Sequence, residues 1–384
     1  MPPSPRRYAV SVRAAGVLAL GLLVAAPVGA DSAAPTASKL GHRTSWQVAP
    51  GVTYREWRFT DAGGRQRVHV LDVDPGTPGV SLDYATNRSL RRREPTRRIV
   101  RARPTAVGGT NASYFDISGT GAPAGVGQSR SGGLLHAPTS GWNHAFYQAR
   151  DGSYHIGTVA LRTRVPGHPG WPVTALNLPH VQPGTITLYS SRWGRTCGRC
   201  VVGRPHALAR EVRVRDGVVV RNTTHLLKGR FYRDLRLVGV GRGARLLERV
   251  AVGSQLTPRW FLEPRPLMAI TGSQVLVRAG RVVARSDGLR APRSAIGIDG
   301  DTGHVLLVTL DGRARHAAGM RMHGWARLLA RLGIDRAVNL DGGGSSTMVA
   351  RTAVGSRLAV VNRPSLGHQR RVPDAVVVDY APPG

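Results

Sequence analysis

One carboxylate, three glycines and three hydroxyls follow each other in Asp341-Gly342-Gly343-Gly344-Ser345-Ser346-Thr347, directly after the apolar run Ala337 to Leu340. A carboxylate in that place can act as nucleophile, as general base or as electrostatic stabiliser of a cationic centre. The glycines remove every Cβ from the next turn, so backbone N–H groups of Gly342, Gly343 and Gly344 can approach a ligand closely. Ser345, Ser346 and Thr347 add donors that suit sugar hydroxyls or phosphate oxygens. Three glycines alone are also the mark of an ordinary turn before another strand. Two well-known loops are excluded. A P-loop requires a lysine that is missing here, and a nucleophile elbow requires glycine where Thr347 stands.

Such a loop needs a rigid strand end to hold it. The run ending at Leu340 reads as a buried strand, which puts Asp341 where the chain leaves a sheet. Gly303 to Leu310 is a second continuous apolar strand, and it ends in the turn signal Asp311-Gly312. Between them Met322, Trp325, Leu328, Leu329 and Leu332 recur at helical spacing, with Gly333 as a stop. Ligands of strand–helix–strand units gather at the carboxyl ends of strands, where Asp311 and Asp341 would both lie. Elsewhere short strands dominate: Val68–Val73, Val80–Tyr84, Ala375–Tyr380, and hairpins turning at Asp216-Gly217 and Ala279-Gly280. The expected fold class is α+β, a β-rich mixed-sheet domain with few helices. A strand-rich segment at 46–100 precedes the main domain at 101–384.

Several further motifs occur in a fixed order. They are Asn111-Ala-Ser-Tyr-Phe115-Asp116, Gly121-Ala-Pro123-Ala-Gly125, Pro292-Arg293-Ser-Ala-Ile-Gly297, Asp311-Gly-Arg313 with Gly319-Met320, the loop 340–348, Asn362-Arg-Pro-Ser365 and Arg370-Arg-Val372. The ordered set resembles the phosphodiester glycosidase family, whose members include an enzyme that removes N-acetylglucosamine from a phosphodiester on mannose. The resemblance is densest from 292 to 372, and the segment from about 140 to 290 carries no matching motif.

That resemblance implies a hydrolase of a glycosyl-1-phosphate linkage, releasing a sugar such as N-acetylglucosamine from a phosphorylated glycan or cell-surface polymer. Glycosyl transfer to water usually employs two carboxylates, for which Asp341 and Asp116 are the candidates. Phosphate is a good leaving group, so arginine forks matter more than acid assistance. Arg293 and Arg313 are the expected phosphate ligands, joined by Arg370 or its neighbour Arg371. Asn111 would bind a sugar hydroxyl or hold the loop, while Gly342, Gly343, Gly344, Ser345 and Ser346 would supply donors. Two other classes compete: an ordinary O-glycoside hydrolase that ignores the arginines, and a non-catalytic polyanion-binding envelope protein that ignores Asp341.

Composition fits an exported protein. Arg6, Arg7 and Arg13 precede the apolar stretch Val17 to Ala26, and Val28-Gly29-Ala30 offers a cleavage site, so residues 1–30 read as a signal peptide, with a loose twin-arginine flavour, followed by a flexible lead at 31–45. No later apolar run is long enough for a membrane anchor. The net charge of +32 comes almost wholly from arginine, with Lys39 and Lys228 the only lysines. The arginines are scattered, apart from the cluster between Arg88 and Arg103, which suits an acidic polymer; no motif points to a specific nucleic acid. Cys197 and Cys200 are the only cysteines, too few for a zinc site, and are expected to form a local disulfide. Oxygen ligands from Asp116 and Asp341 would suit a hard cation such as calcium. Without EF-hand or HExxH spacing no metal or other cofactor is expected.

Overall fold

The computed structural model describes residues 41–203, 207–230 and 233–383. The expected signal peptide, and the lead up to residue 40, lie outside the described residues.

Strands that are apolar on both faces must be covered on both sides. Every residue of the Val305–Leu310 strand is buried. Val305 and Leu307 enter one core, and Leu306, Val308 and Leu310 enter another. This strand lies inside an eight-stranded antiparallel sheet, in the order His42–Ala49, Val52–Asp61, Gly64–Val73, Val305–Leu310, Arg293–Ile298, Arg336–Leu340, Val275–Arg278, Arg281–Val282. The N-terminal strands thus share one sheet with the motif-bearing strands, joined where Gly64–Val73 pairs with Val305–Leu310.

A five-stranded sheet faces it, ordered Leu358–Val360, Met348–Arg351, Ala106–Asn111, Asp374–Tyr380, Val80–Thr86. Leu71, Ile296, Leu307 and Val338 of the first sheet meet Leu82, Val107, Met348 and Val376 of the second in one core. Gly108 permits the close approach, since a Cβ there would lie 2.9 Å from Leu71 Cδ1. The opposite face of the larger sheet is covered by the helix Met322–Arg331 through Met322, Trp325, Leu328 and Leu329. The helix Thr96–Arg101 covers the smaller sheet through Ile99 and Val100.

The segment without recognised motifs builds most of a ten-stranded sheet with a core of its own. One pair in it, Val173–Leu176 with Ile186–Tyr189, is parallel, so the sheet is mixed. The β-rich α+β class expected from sequence is the observed one, with α-helices among the described residues only at Thr96–Arg101, Arg242–Glu248 and Met322–Arg331. Cys197 and Cys200 are disulfide-bonded, with Cα atoms 5.5 Å apart. No helix among the described residues is long and apolar enough to cross a membrane.

Candidate active site

Antiparallel pairing decides which residues meet. Val305–Leu310 and Arg336–Leu340 flank Arg293–Ile298, and both run antiparallel to it. Asp311, Asp341 and Arg293 therefore lie at one rim of the sheet. Across the core, Ala106–Asn111 ends where Met348–Arg351 and Asp374–Tyr380 begin. Hydrogen bonds stitch the two rims together. The Asp341 amide donates to the Ala112 carbonyl (3.0 Å) and Asn111 Nδ2 to the Asp341 carbonyl (2.7 Å), while the Asn111 amide donates to the Thr347 carbonyl (3.2 Å) at the far end of the loop.

Asn111 is completely buried, and both ends of its side-chain amide are engaged. Its Oδ1 accepts from the Thr347 amide (3.1 Å) and from Ser294 Oγ (2.9 Å). Of its two expected roles, holding the loop is the one this geometry serves, since a completely buried amide offers no accessible atom to a sugar hydroxyl. The glycine turn also spends more of its amides internally than its composition suggests. Gly343 donates to the Pro292 carbonyl, Ser345 to that of Gly342 and Ser346 to that of Gly343. The glycines are needed for space. Gly343 has φ +61°, and a Cβ on Gly342 would lie 2.9 Å from the Pro292 carbonyl oxygen.

Two guanidinium groups flank this turn. Arg370 donates to Ser345 Oγ (3.3 Å), and its Nη2 lies 2.5 Å from where a Gly344 Cβ would sit. Arg313, exposed and at φ +57°, places Nη1 3.4 Å from the corresponding point on Gly343. Arg370 also lines a cavity of about 490 Å³ with Arg371, Arg91, Arg93 and Ile117. Among the described residues none of these four arginines has a carboxylate within salt-bridge distance. Carbonyls orient two of them: Arg91 Nε donates to Thr120 (2.9 Å) and Arg93 Nη1 to Ile117 (2.9 Å). The Arg88–Arg103 cluster seen in the sequence thus contributes two side chains to this cavity.

Arg293 is placed differently from its expected role as a phosphate ligand. Its side chain is buried, with Nε donating to the Met320 carbonyl (3.0 Å) and Nη2 to the Leu289 carbonyl (2.7 Å) and to Asp287 (2.7 Å). It pins the 287–292 loop and the start of the helix.

The carboxylates differ sharply. Asp341 is 9 % exposed, and burial pushes its pKa up to about 6, against hydrogen bonds from Ser345 and the Gly342 amide and the attraction of Arg370; the nearby charge of Asp374 adds to the rise. Asp116 has its oxygens committed to its own loop. They accept from the Gly119 amide (3.0 Å), the Thr120 amide (2.6 Å) and the Thr120 hydroxyl (2.9 Å), with His180 Nε2 at 3.5 Å. Burial would raise Asp116, but these bonds hold it below the ordinary carboxylate value.

Asp374, which sequence reasoning passed over, is the carboxylate that faces Asp341 electrostatically. It is fully buried, and burial likewise raises its pKa to about 6. Tyr84 Oη lies 2.7 Å from its Oδ2 and 2.7 Å from His136 Nε2, while His136 Nδ1 lies 2.8 Å from the Gly125 carbonyl. His136 is held neutral by burial, its pKa lowered to about 4. The Tyr84 hydroxyl donates to Asp374 Oδ2 and the Ser113 amide to Asp374 Oδ1 (2.8 Å), so both oxygens of the buried carboxyl are engaged. The only sequence signal was an aspartate opening an otherwise apolar strand.

A second buried network steadies the far side of the loop. Asp311 accepts from Asn362 Nδ2 (3.1 Å) and the Arg363 amide (3.0 Å) and lies 3.2 Å from His69 Nε2. Burial alone would raise Asp311, yet these partners hold it below the ordinary value. Asn362 also donates to the Ser346 carbonyl (3.1 Å) and accepts from the Met348 amide (2.8 Å), which ties Asp311 to the turn. Ser346 Oγ is buried without a protein partner. Among the described residues no three of His, Cys, Asp and Glu are grouped as a metal ion would require.

Residues 198–379, a little under half of the 384-residue chain, match the family model described as phosphodiester glycosidase. The match reaches into the segment without recognised motifs and includes the glycine loop, Asp374 and Arg370; the Asn111–Asp116 and Gly121–Gly125 motifs lie outside it. No curated protein sequence matches the chain. In fold it is similar to a hypothetical protein from Synechocystis (TM-score 0.72, 21 % identity, covering 90 % of this chain and 65 % of that one). It is also similar to a candidate exported protein from Burkholderia pseudomallei (TM-score 0.66, 22 % identity, covering 82 % and 74 %). The catalytic domain of zebrafish N-acetylglucosamine-1-phosphodiester alpha-N-acetylglucosaminidase matches at TM-score 0.46 and 17 % identity, over 89 % and 88 %.

Proposed function

We propose, taking the phosphodiester glycosidase domain as premise, that this chain is a hydrolase that cleaves a glycosyl-1-phosphate bond. Its substrate is a phosphorylated glycan or anionic cell-surface polymer, and it acts after export. The observation that carries the reading is Asp341. A buried carboxyl, its pKa raised to about 6, interacts with the Ser345 hydroxyl and the Arg370 cation, beside a cavity of arginines none of which has a carboxylate within salt-bridge distance among the described residues. A group held near the working pH, next to a site for negative charge, is suited to chemistry rather than to packing.

The reaction follows from these parts. With the sugar C1 over Asp341 and the phosphate toward Arg370, the C1–O bond breaks and phosphate leaves with the electron pair. Arg370 and its neighbours hold the departing charge, so no strong acid is required. Asp341, mostly ionised at pH 7, either takes the proton of the attacking water or bonds to C1 until water replaces it. The products are the free sugar and a phosphate monoester. Asp374, sealed from substrate by Tyr84 and the Ser113 amide (2.8 Å), acts as a positioning residue that keeps Asp341 from becoming too weak a base. Export is supported by the Cys197–Cys200 disulfide and by the fold similarity to a candidate exported protein.

The test is release of N-acetylglucosamine, followed by proton NMR, from UDP-N-acetylglucosamine and from its phosphodiester with methyl mannoside. Release by the native chain but not by Asp341→Asn is expected. A chain that binds acidic polymers equally well with and without Asp341, and releases no sugar, is a binding protein instead.

A further inference from the structure

Past Tyr114 and Asp116 lies a second cleft, of about 610 Å³, that the reaction above does not use. Trp142 forms an exposed apolar wall of it, at 48 % relative exposure. The cleft belongs to residues outside the 198–379 family match, in the part of the chain for which the sequence offered no role.

We infer that this cleft binds a pyranose ring of the glycan, stacked on Trp142, on the sugar side of the scissile bond; the inference rests on the proposed hydrolysis of a glycan phosphodiester.

Three observations carry it. First, Trp142 is held at φ +48°, a conformation that bulky residues rarely adopt. Such strain persists only where the surroundings enforce it, and it is common at ligand clamps. Gly125 is part of that enforcement, since a Cβ there would lie 2.7 Å from the Trp142 carbonyl oxygen. Second, the rest of the lining pairs apolar Leu178 and Pro179 with short polar groups, among them Thr139, Ser140 and Gln182. An apolar platform ringed by hydroxyl and amide groups fits a sugar, whose ring faces present C–H bonds and whose rim presents hydroxyls. Third, the cleft is joined to the reacting carboxyl. The Tyr114 ring packs 5.3 Å from that of Trp142, Tyr114 Oη accepts from Asn339 Nδ2 (2.8 Å), and the charge of Asp341 helps to raise the Tyr114 pKa, after burial. His180, on the cleft wall, approaches Asp116. The arginine cavity has no aromatic lining, whereas this cleft has no arginine. Phosphate and sugar rings are thereby sorted to different walls.

The experiment uses the Asp341→Asn protein, so that binding is read without turnover. Its tryptophans are labelled with 5-fluorotryptophan, and the Trp142 resonance is assigned by its absence in Trp142→Phe. Chito-, malto- and manno-oligosaccharides are titrated separately, with fluorine NMR as readout. One series is expected to shift the Trp142 line saturably, and Trp142→Ala to weaken that binding ~fivefold or more while leaving inorganic phosphate binding unchanged. If no series moves the Trp142 line, or if Trp142→Ala binds the sugar as tightly, the cleft is not a sugar site. The two readings fail separately. Hydrolysis by the native chain without a Trp142 response removes only the cleft, whereas a Trp142 response without hydrolysis removes only the enzyme.

Discussion

Replacing Asp341 by Asn should make the protein inactive and, above pH 6, more stable. The structure supplies the size of the effect. Burial lifts this carboxyl from its ordinary value of 3.8 to about 6. The folded chain therefore binds the proton more tightly than the unfolded chain does. Between about pH 4 and pH 6 the folded state keeps a proton that the unfolded state has released, so the contribution to stability falls as pH rises through that window and is flat above it. At roughly 1.4 kcal/mol per pH unit, the ionised carboxylate costs the fold about 3 kcal/mol at pH 8. Asparagine escapes that cost, but its amide must face the Arg370 guanidinium, which returns part of it. A net gain of about 1–2 kcal/mol remains. With roughly 2 cal/mol/K of unfolding entropy per residue, a chain of this length should melt ~1–3 °C higher. Differential scanning calorimetry from pH 4 to pH 8 reads this directly, and comparing variant with native cancels the titrating groups that do not interact with Asp341. The melting curves should coincide near pH 4 and separate above pH 6. A variant that is less stable at pH 8, or a difference independent of pH, would refute the claim that Asp341 is held ionised against its burial.

Four further outcomes follow from the same geometry. The acidic limb of kcat/KM should lie near pH 6, because Asp341 must be ionised to act. Arg370→Ala should move that limb to higher pH, by removing the cation that favours the carboxylate, and lower kcat about 10²- to 10³-fold; a pH–rate series shows both. Arg293→Ala should act on folding instead. Loss of its bonds to Asp287 and two carbonyls is worth about 2–3 kcal/mol, discounted because Asp287 is left partly hydrated. Urea denaturation should show that loss while KM for the folded enzyme stays unchanged; a large rise in KM would restore Arg293 as a phosphate ligand. Asn111→Ala should cost both stability and activity, since three bonds that hold the loop disappear.

The sequence makes the elements of this fold more legible than the site. Alternation and apolar runs locate the strands around Val305–Leu310, Arg336–Leu340 and Asp374–Tyr380, because burial on one or both faces dictates them. The Asp216-Gly217 and Ala279-Gly280 turns are as legible, since each pair takes the positive φ of a tight hairpin. What sequence cannot supply is pairing across long separations. Nothing near Asp374 announces that Tyr84 and His136 close over it, from 290 and 238 positions away. The same limit governs the arginines. Arg293 and Arg370 sit in equally suggestive motifs, and only the tertiary fold sends one to the 287–292 loop and the other to the glycine turn. Asn111 illustrates a third case, in which a residue type that suits ligands is consumed by the backbone it must hold in place.

The most direct test of the central claim is hydrolysis of a glycosyl phosphodiester in ¹⁸O-labelled water, with the products weighed by mass spectrometry. Attack at the anomeric carbon puts the label in the released sugar and leaves the phosphate monoester unlabelled, which is the result expected here. Label in the phosphate would show cleavage of the P–O bond, and Asp341 could not then have the role assigned to it.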